Sequence, residues 1–152
     1  MSNEEIKQFV LDRVPEAVSV EGGQFLQISI PAERLLPLAS DLKSNDNSSF
    51  DFLFCLTAVD WPAYMEVVYH LKSTKHNHQF VLKARINSRE TPEVETVGHI
   101  WRTAEFHERE AYDLFGIKFL NHPDLRRLLL PDDWEGYPMR KDYSDPINMI
   151  EY

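Results

Sequence analysis

Apolar residues near the start of the chain repeat first at helical and then at strand-like intervals. Over residues 2–14 they recur at helical spacing, and Ser2 and Glu5 are spaced as in a capping box, which predicts a short amphipathic helix. Residues 18–30 then alternate apolar with polar on both sides of the Gly22-Gly23 pair. This arrangement predicts a β-hairpin.

Strand-like runs dominate the middle of the chain, after a helix predicted over residues 31–43 and shortened or kinked by Pro37. The run 50–60 is almost continuously apolar, aromatic or β-branched, which is typical of a central strand. Runs 65–73 and 79–87 follow after short connections. Such connections predict antiparallel neighbours, because a parallel crossover needs about a dozen residues or more.

The last third of the chain combines a helical stretch with a long irregular one. Residues 92–116 have the pattern of a helix in one or two segments, which Gly116 ends as a C-cap. The residues that follow contain several prolines and little periodicity. The sequence therefore predicts one α+β domain over residues 1–152, with helices packed on a largely antiparallel β-sheet and an extended, irregular C-terminal segment at 121–152.

Composition narrows the range of functions. The 152 residues include 16 Lys and Arg against 25 Asp and Glu, a formal net charge of −9, which argues against a general affinity for nucleic acid or anionic lipid. No apolar run is long enough to span a bilayer, and the first residues are acidic where a secretory signal would be basic. We therefore expect a protein that stays in the compartment where it is made.

Motifs that bind cofactors are absent from the sequence. Cys55, the single cysteine, lies in an apolar run, where we expect a buried, inert thiol, and iron–sulfur clusters are usually held by four thiolates. Neither glycine-rich phosphate loop, G-x-G-x-x-G or G-x-x-x-x-G-K-[ST], occurs. The chain is therefore expected to hold no cofactor of its own.

A catalytic alternative stays open at one place. His107-Glu108 begins like the metal-binding helix of a zincin, but Ala111 occupies the position of the second histidine, which disfavours a metal site. No G-x-S-x-G elbow is present to activate a serine. The remaining enzymatic hypothesis is a hydrolase that uses Glu108 and Glu110 with His107 or His122.

Charged residues of the predicted third helix favour a structural role. Glu105 and Asp113 flank Arg109 at four-residue spacing, which predicts an ion-pair ladder on one helix face. Glu108 falls in the apolar stripe of this helix, and burying a carboxylate alone is strongly unfavourable. We expect an arginine of the C-terminal segment to pair with Glu108, and the candidates are Arg126, Arg127 and Arg140.

The C-terminal segment also has the composition of a protein–protein interface. Trp134, Tyr137 and Tyr143 are interspersed with charges of both signs, and three consecutive leucines occupy 128–130. Aromatic and arginine residues among paired charges are typical of the residues that carry binding energy between proteins. The segment is therefore predicted to bind partners.

This part of the sequence resembles a known family, the C subunit of the respiratory NADH:quinone oxidoreductase (complex I, type I NADH dehydrogenase). The signature of that family is E-R-E, then D, an apolar pair, H, a basic residue and a second apolar pair, at fixed spacings. The continuation "LLLPDDWEGYPMRKDY", at 128–143, also resembles the closing segment of the family. The signature positions are filled here by Glu108-Arg109-Glu110, Asp113, Leu114-Phe115, His122, Arg126 and Leu128-Leu129.

The resemblance implies a non-redox structural subunit in the peripheral arm of a proton-pumping oxidoreductase, with an α+β fold. FMN and iron–sulfur clusters are then expected in partner subunits. The implied partners are the large quinone-site subunit, known as the D subunit, and neighbouring iron–sulfur subunits. The implied location is the cytoplasmic side of a bacterial plasma membrane, which the chain reaches only through the complex.

Two further expectations come with the resemblance. The alternative within the same class is the equivalent subunit of a related membrane-bound hydrogenase, or of a quinone oxidoreductase with another donor such as ferredoxin. The residues implied at subunit interfaces are Glu108, Arg109, Glu110, Asp113, His122, Pro123, Arg126, Arg127, Trp134, Arg140, Lys141 and Tyr143.

Overall fold

The structure is a computed structural model and describes residues 1–20, 23–147 and 149. The described α-helices are α1 (Asn3–Leu11), α2 (Leu35–Ser44, preceded by a 3-10 turn at Ala32–Arg34) and α3 (Ala104–Phe115). The described strands are β1 (Val18–Val20), β2 (Gln27–Pro31), β3 (Phe52–Asp60), β4 (Met65–Lys72), β5 (Gln79–Ile86), β6 (Glu93–Glu95) and β7 (Lys118–Leu120).

Five strands form the main sheet in the order β1-β2-β5-β4-β3. All neighbours are antiparallel except β2 and β5, which run parallel, and β6 pairs in parallel with β7 in a separate small sheet. The predicted α+β fold with a largely antiparallel sheet is confirmed. Past β7, the described residues hold turns and extended chain without further helix or strand.

Helices α1, α2 and α3 and one face of the main sheet contribute to the core. Alternate residues of β4 and β5 point into it, as the period of a strand requires, and α2 adds a buried leucine stripe. The capping box at Ser2 and Glu5 is confirmed. Pro37 lies in the first turn of α2, where its missing N–H breaks no intrahelical bond.

Two predicted elements differ from the structure. The helix predicted over 92–116 is wrong in its first half, because that stretch contains β6 and turns, and the helix begins only at Ala104. The run 50–60 does form a strand, but β3 lies at the edge of the sheet rather than at its centre. Cys55 is accordingly half-buried and not fully enclosed. The predicted Gly22-Gly23 turn lies partly outside the described residues.

Candidate functional site

Helix α3 lies along the free edge of β3 and is held there by two side chains. Thr103 Oγ1 donates to the carbonyl oxygen of Leu53 at 2.9 Å, and His107 Nδ1 accepts from the amide of Leu56 at 3.0 Å. Edge strands expose unpaired backbone groups, and these contacts satisfy one donor and one acceptor. His107 therefore acts as a cap on the sheet edge, which argues against the metal or catalytic roles considered for it.

Asp113 holds the start of the C-terminal segment on the outer side of α3. Its Oδ2 accepts from the amides of Leu128, Leu129 and Leu130 at 3.1, 2.7 and 3.0 Å. Its Oδ1 accepts from Arg127 Nη1 at 2.9 Å. Burial raises the pKa of Asp113, but these hydrogen bonds outweigh burial and hold the pKa below its ordinary value. Asp113 is thus an ionised, fully buried anchor.

Arg109 fixes the same segment through backbone carbonyl groups. Its Nε and Nη2 donate to the carbonyl oxygens of Arg126 and Arg127 at 3.2 and 3.0 Å, and the residue is 7% exposed. The predicted ladder of Arg109 with Glu105 and Asp113 is therefore wrong. The carboxylate of Asp113 pairs with Arg127 instead. The guanidinium of Arg109 donates to backbone carbonyl groups of the segment that crosses α3.

Arg127 organises the next turn of the C-terminal segment. Its Nη2 donates to the carbonyl oxygens of Trp134 and Gly136, each at 2.9 Å, while Nη1 is bonded to Asp113. One guanidinium therefore joins α3 to two points of the segment. Five donors in a rigid plane allow this, which a lysine could not reproduce.

The C-terminal end of α3 also binds the C-terminal segment, at Met139 and Arg140. The amide of Met139 donates to the carbonyl oxygen of Leu114 at 3.0 Å, and Arg140 Nε donates to that of Phe115 at 2.6 Å. These contacts satisfy carbonyl groups that the last turn of a helix leaves free. We call the segment 126–141, with its contacts to α3 and β3, the clasp.

Asp60, at the end of β3, is a fixing point of the clasp that the sequence analysis missed. Arg89 donates to both carboxylate oxygens at 2.9 and 2.8 Å, and the amide of Lys141 donates to Oδ2 at 2.9 Å. Asp60 is 3% exposed. The available signal was its position: an aspartate that ends a long apolar strand has to be paired if it is buried.

Gly116 allows the clasp to close over the end of α3. Its φ of +73° is left-handed, and a Cβ here would lie 2.6 Å from the ring of Tyr137 and 2.8 Å from Arg140 Nη2. The predicted C-cap glycine is confirmed, and close approach gives a second reason for it.

Replacing Gly116 with alanine should lower the free energy of unfolding by at least about 1–2 kcal/mol, from the left-handed conformation alone. The clash with Tyr137 should in addition loosen the clasp. Urea unfolding measures the first effect, and limited proteolysis within 126–141 the second. Gly23→Ala is the control, because that glycine is exposed and its nearest side-chain neighbour is the flexible end of Gln27. Equal behaviour of the two variants would contradict the prediction.

Glu108 is fully buried, but its partners differ from those predicted. Oε2 accepts from Thr96 Oγ1 at 2.5 Å, and Oε1 accepts from the amide of Val97 at 2.9 Å. Both donors come from the turn between β6 and α3. The prediction that an arginine of the C-terminal segment pairs with Glu108 is wrong, since the guanidinium groups considered, those of Arg126, Arg127 and Arg140, make the contacts described above or, for Arg126, pair with Asp124.

Burial raises the pKa of Glu108 to about 7, although the bonds from Thr96 and Val97 act in the opposite direction. His122 Nε2 lies 3.7 Å from the carboxylate. That nitrogen contacts the carbonyl oxygen of Glu105 at 2.9 Å, while Nδ1 accepts from the amide of Asp124 at 2.9 Å. Because Nδ1 accepts a hydrogen bond, Nε2 is the nitrogen that donates, and His122 thus ties the turn after β7 to α3.

Arg127 of the clasp neutralises Asp113 of the signature, and three apolar side chains nearby remain at the surface. Phe106, Leu128 and Leu129 are 61%, 39% and 64% exposed. The implied interface residues divide accordingly. Glu108, Arg109 and Asp113 are buried; His122, Arg127, Trp134, Arg140 and Tyr143 are half-buried; Glu110, Pro123, Arg126 and Lys141 are exposed. Their role in partner binding stays a prediction.

The described residues set limits on other chemistry. Over 1–20, 23–147 and 149, no group of three or more His, Cys, Asp or Glu residues is arranged to hold a metal ion. In the same part of the chain, no helix has the length and apolar character needed to cross a membrane.

Comparison with known proteins identifies the family. The family model described as "Respiratory-chain NADH dehydrogenase, 30 Kd subunit" matches residues 28–147, and the chain belongs to this family. The NADH-quinone oxidoreductase C subunit of Moorella thermoacetica is 42% identical over 131 residues, which cover 85% of this chain and 86% of that protein. The NADH-quinone oxidoreductase C/D subunit of Phocaeicola vulgatus is 48% identical over 125 residues, or 82% of this chain.

The match spans only part of some relatives. It covers 24% of the Phocaeicola vulgatus protein and 45% of the NADH-quinone oxidoreductase C subunit of Chloroherpeton thalassium, which is 44% identical over 109 residues. A chain in the structure of the membrane-bound sulfane sulfur reductase, an archaeal respiratory membrane complex, superposes with a TM-score of 0.77 at 30% identity. The superposition covers 95% of this chain and 86% of that one.

Proposed function

We propose that this chain is a non-redox structural subunit in the peripheral arm of a proton-pumping NADH:quinone oxidoreductase. The observation that carries the proposal is the 42% identity, over most of both chains, to a protein named as the C subunit of NADH-quinone oxidoreductase. The site supports it physically, because the buried charges of α3 are used to fix the clasp. Electron transfer from NADH to quinone then occurs on FMN and iron–sulfur clusters of sister chains.

We further propose that the clasp binds the large quinone-site subunit, the D subunit, and neighbouring iron–sulfur subunits. Relatives named as C/D subunits support this, since their printed name joins both subunits in one chain. Exposed Leu128, Leu129 and Phe106 supply apolar anchors, and exposed Arg126 supplies a charged rim. The complex would place the chain peripherally on the cytoplasmic side of a bacterial plasma membrane.

Purification of the complex through a tag on this chain tests the proposal. Detergent-solubilised membranes should yield the quinone-site subunit and flavin- and cluster-bearing subunits in equal molar amounts, with NADH:quinone oxidoreductase activity. The chain expressed alone should carry neither flavin nor cluster. A purified chain without these sister subunits, or an isolated chain with catalytic activity of its own that Glu108→Gln abolishes, would overturn it.

A second candidate is the equivalent subunit of a related membrane complex with a different electron donor. The observation in its favour is the superposition on a chain of the sulfane sulfur reductase complex. The same purification separates the two candidates. A complex that contains the quinone-site subunit but no NADH-oxidising flavin subunit would favour the second.

A further inference from the structure

The face of the main sheet that points away from the core carries a row of aromatic rings. Phe52 and Phe54 alternate with the core residues of β3 and are 44% and 39% exposed. Their ring centroids are 6.0 Å apart, and the Phe54 ring lies 5.5 Å from His70 of β4. The His70 ring in turn meets that of Phe25 at 6.2 Å. We call these four residues the aromatic row.

The aromatic row has an apolar layer beside it. Val68 and Val81 share the face of His70 and are 7% and 4% exposed, but neither belongs to the core cluster on the other side of the sheet. An antiparallel sheet with one solvated face ordinarily alternates apolar with polar residues. Phenylalanines that remain about two-fifths exposed on that face are a departure from the pattern, and such a patch is typical of an interaction site.

Charge on this face is opposite in sign to that of the chain. Lys72, Lys83 and Arg85 point to the same side as the row, together with Glu66. Glu66 is buried and lies 3.9 Å from Lys83 Nζ, so its charge is matched within the face. The formal net charge of the whole chain is −9. A basic, aromatic face on an acidic chain is complementary to an apolar surface edged by carboxylates.

We propose that the open face of the sheet is a second docking surface, which binds a sister subunit through an apolar patch edged by carboxylates. This inference rests on the proposed function and adds a contact apart from the clasp. The phenylalanine rings supply the apolar area at the centre, and Lys72 and Arg85 pair with carboxylates at the rim. Held at both surfaces, the chain bridges two sister subunits and fixes their separation.

Zero-length carbodiimide cross-linking of the purified complex tests the inference, because it joins a lysine amine only to a carboxylate in direct contact. Lys72 should be found joined to an aspartate or glutamate of a sister subunit. In the intact complex, the absence of such a product overturns the inference alone. So does a product that joins two copies of this chain. A wild-type chain that brings down no sister subunit overturns the proposed function as well.

Variants provide an independent readout. The double variant Phe52→Ser, Phe54→Ser should lower retention of the cross-linked subunit by about tenfold, and Lys72→Glu should lower it in a salt-dependent manner. Lys75→Glu is the control, because this exposed lysine lies in the β4–β5 loop beside Asp46. Unchanged retention for both Phe52→Ser, Phe54→Ser and Lys72→Glu contradicts the inference. Binding of the wild-type chain to anionic phospholipid vesicles that Lys72→Glu abolishes would mark a lipid surface instead.

Discussion

Replacing Asp113 with alanine is expected to lower the free energy of unfolding by about 3–5 kcal/mol, the range for breaking a buried ion pair. The carboxylate accepts three backbone amide hydrogens and one from Arg127, whose side chain is only 11% exposed. Without Asp113, these donors lose their acceptor, and a guanidinium that also holds Trp134 and Gly136 loses its charge partner. Urea unfolding at neutral pH measures the loss.

The matched control is Asp124→Ala, which removes an exposed carboxylate from the same part of the chain. Its ion pair with Arg126 lies at the surface and Arg109 Nη1 is 4.0 Å away, so the expected loss of unfolding free energy is much smaller than for Asp113→Ala. Limited proteolysis should cut Asp113→Ala, but not Asp124→Ala, between 126 and 141. If both variants unfold at the same urea concentration and resist the protease equally, Asp113 is not the anchor of the clasp.

Elements with strong local signals were predictable from the sequence. The capping box at Ser2, the strand alternation of β4 and β5, and the glycine that ends α3 each depend on neighbours in sequence. The resemblance to the C subunit of complex I identified the family. Two of its signature residues join α3 to the clasp, because Asp113 pairs with Arg127 and Arg109 donates to backbone carbonyl groups at 126 and 127.

The elements that sequence patterns missed depend on pairing between residues that are distant in sequence. β6 is three residues long and exists through its pairing with β7, which lies beyond α3, so its own residues gave a helical pattern. β3 was predicted to be central because its run is apolar on both faces. It is an edge strand, and Phe52 and Phe54 lie on its outer face. These two apolar side chains belong to the proposed docking surface.

The partners of Glu108 were misassigned for a similar reason. A buried carboxylate demands hydrogen-bond donors, but it does not specify charged ones. Thr96 and Val97 meet the demand because the turn after β6 brings a hydroxyl and an amide to α3. Burial raises the pKa of Glu108, and these neutral donors lower it less than a paired arginine would.

Stability should therefore fall as pH rises through the titration of Glu108. The pKa of this carboxyl is about 7 in the folded protein against an ordinary value of 4.5, so the folded state binds the proton more tightly. Its stabilising contribution is complete below about pH 4.5 and is lost by the time the pH has risen past 7. The shift corresponds to about 3 kcal/mol. Three titratable groups face Glu108. Tyr69 and Glu105 supply no positive charge, and His122 Nε2 lies 3.7 Å from the carboxylate and contacts the carbonyl oxygen of Glu105.

Glu108→Gln should remove this pH dependence, because an amide does not titrate. Measured by urea unfolding from pH 5 to pH 8, the difference in unfolding free energy between variant and wild type should move by about 2.5 kcal/mol in favour of the variant. Glu110→Gln, an exposed change two positions along α3, should give a difference that stays constant with pH. A constant difference for Glu108→Gln as well would mean that the carboxylate is ionised throughout this range, stabilised by Thr96 and Val97 more strongly than its burial opposes.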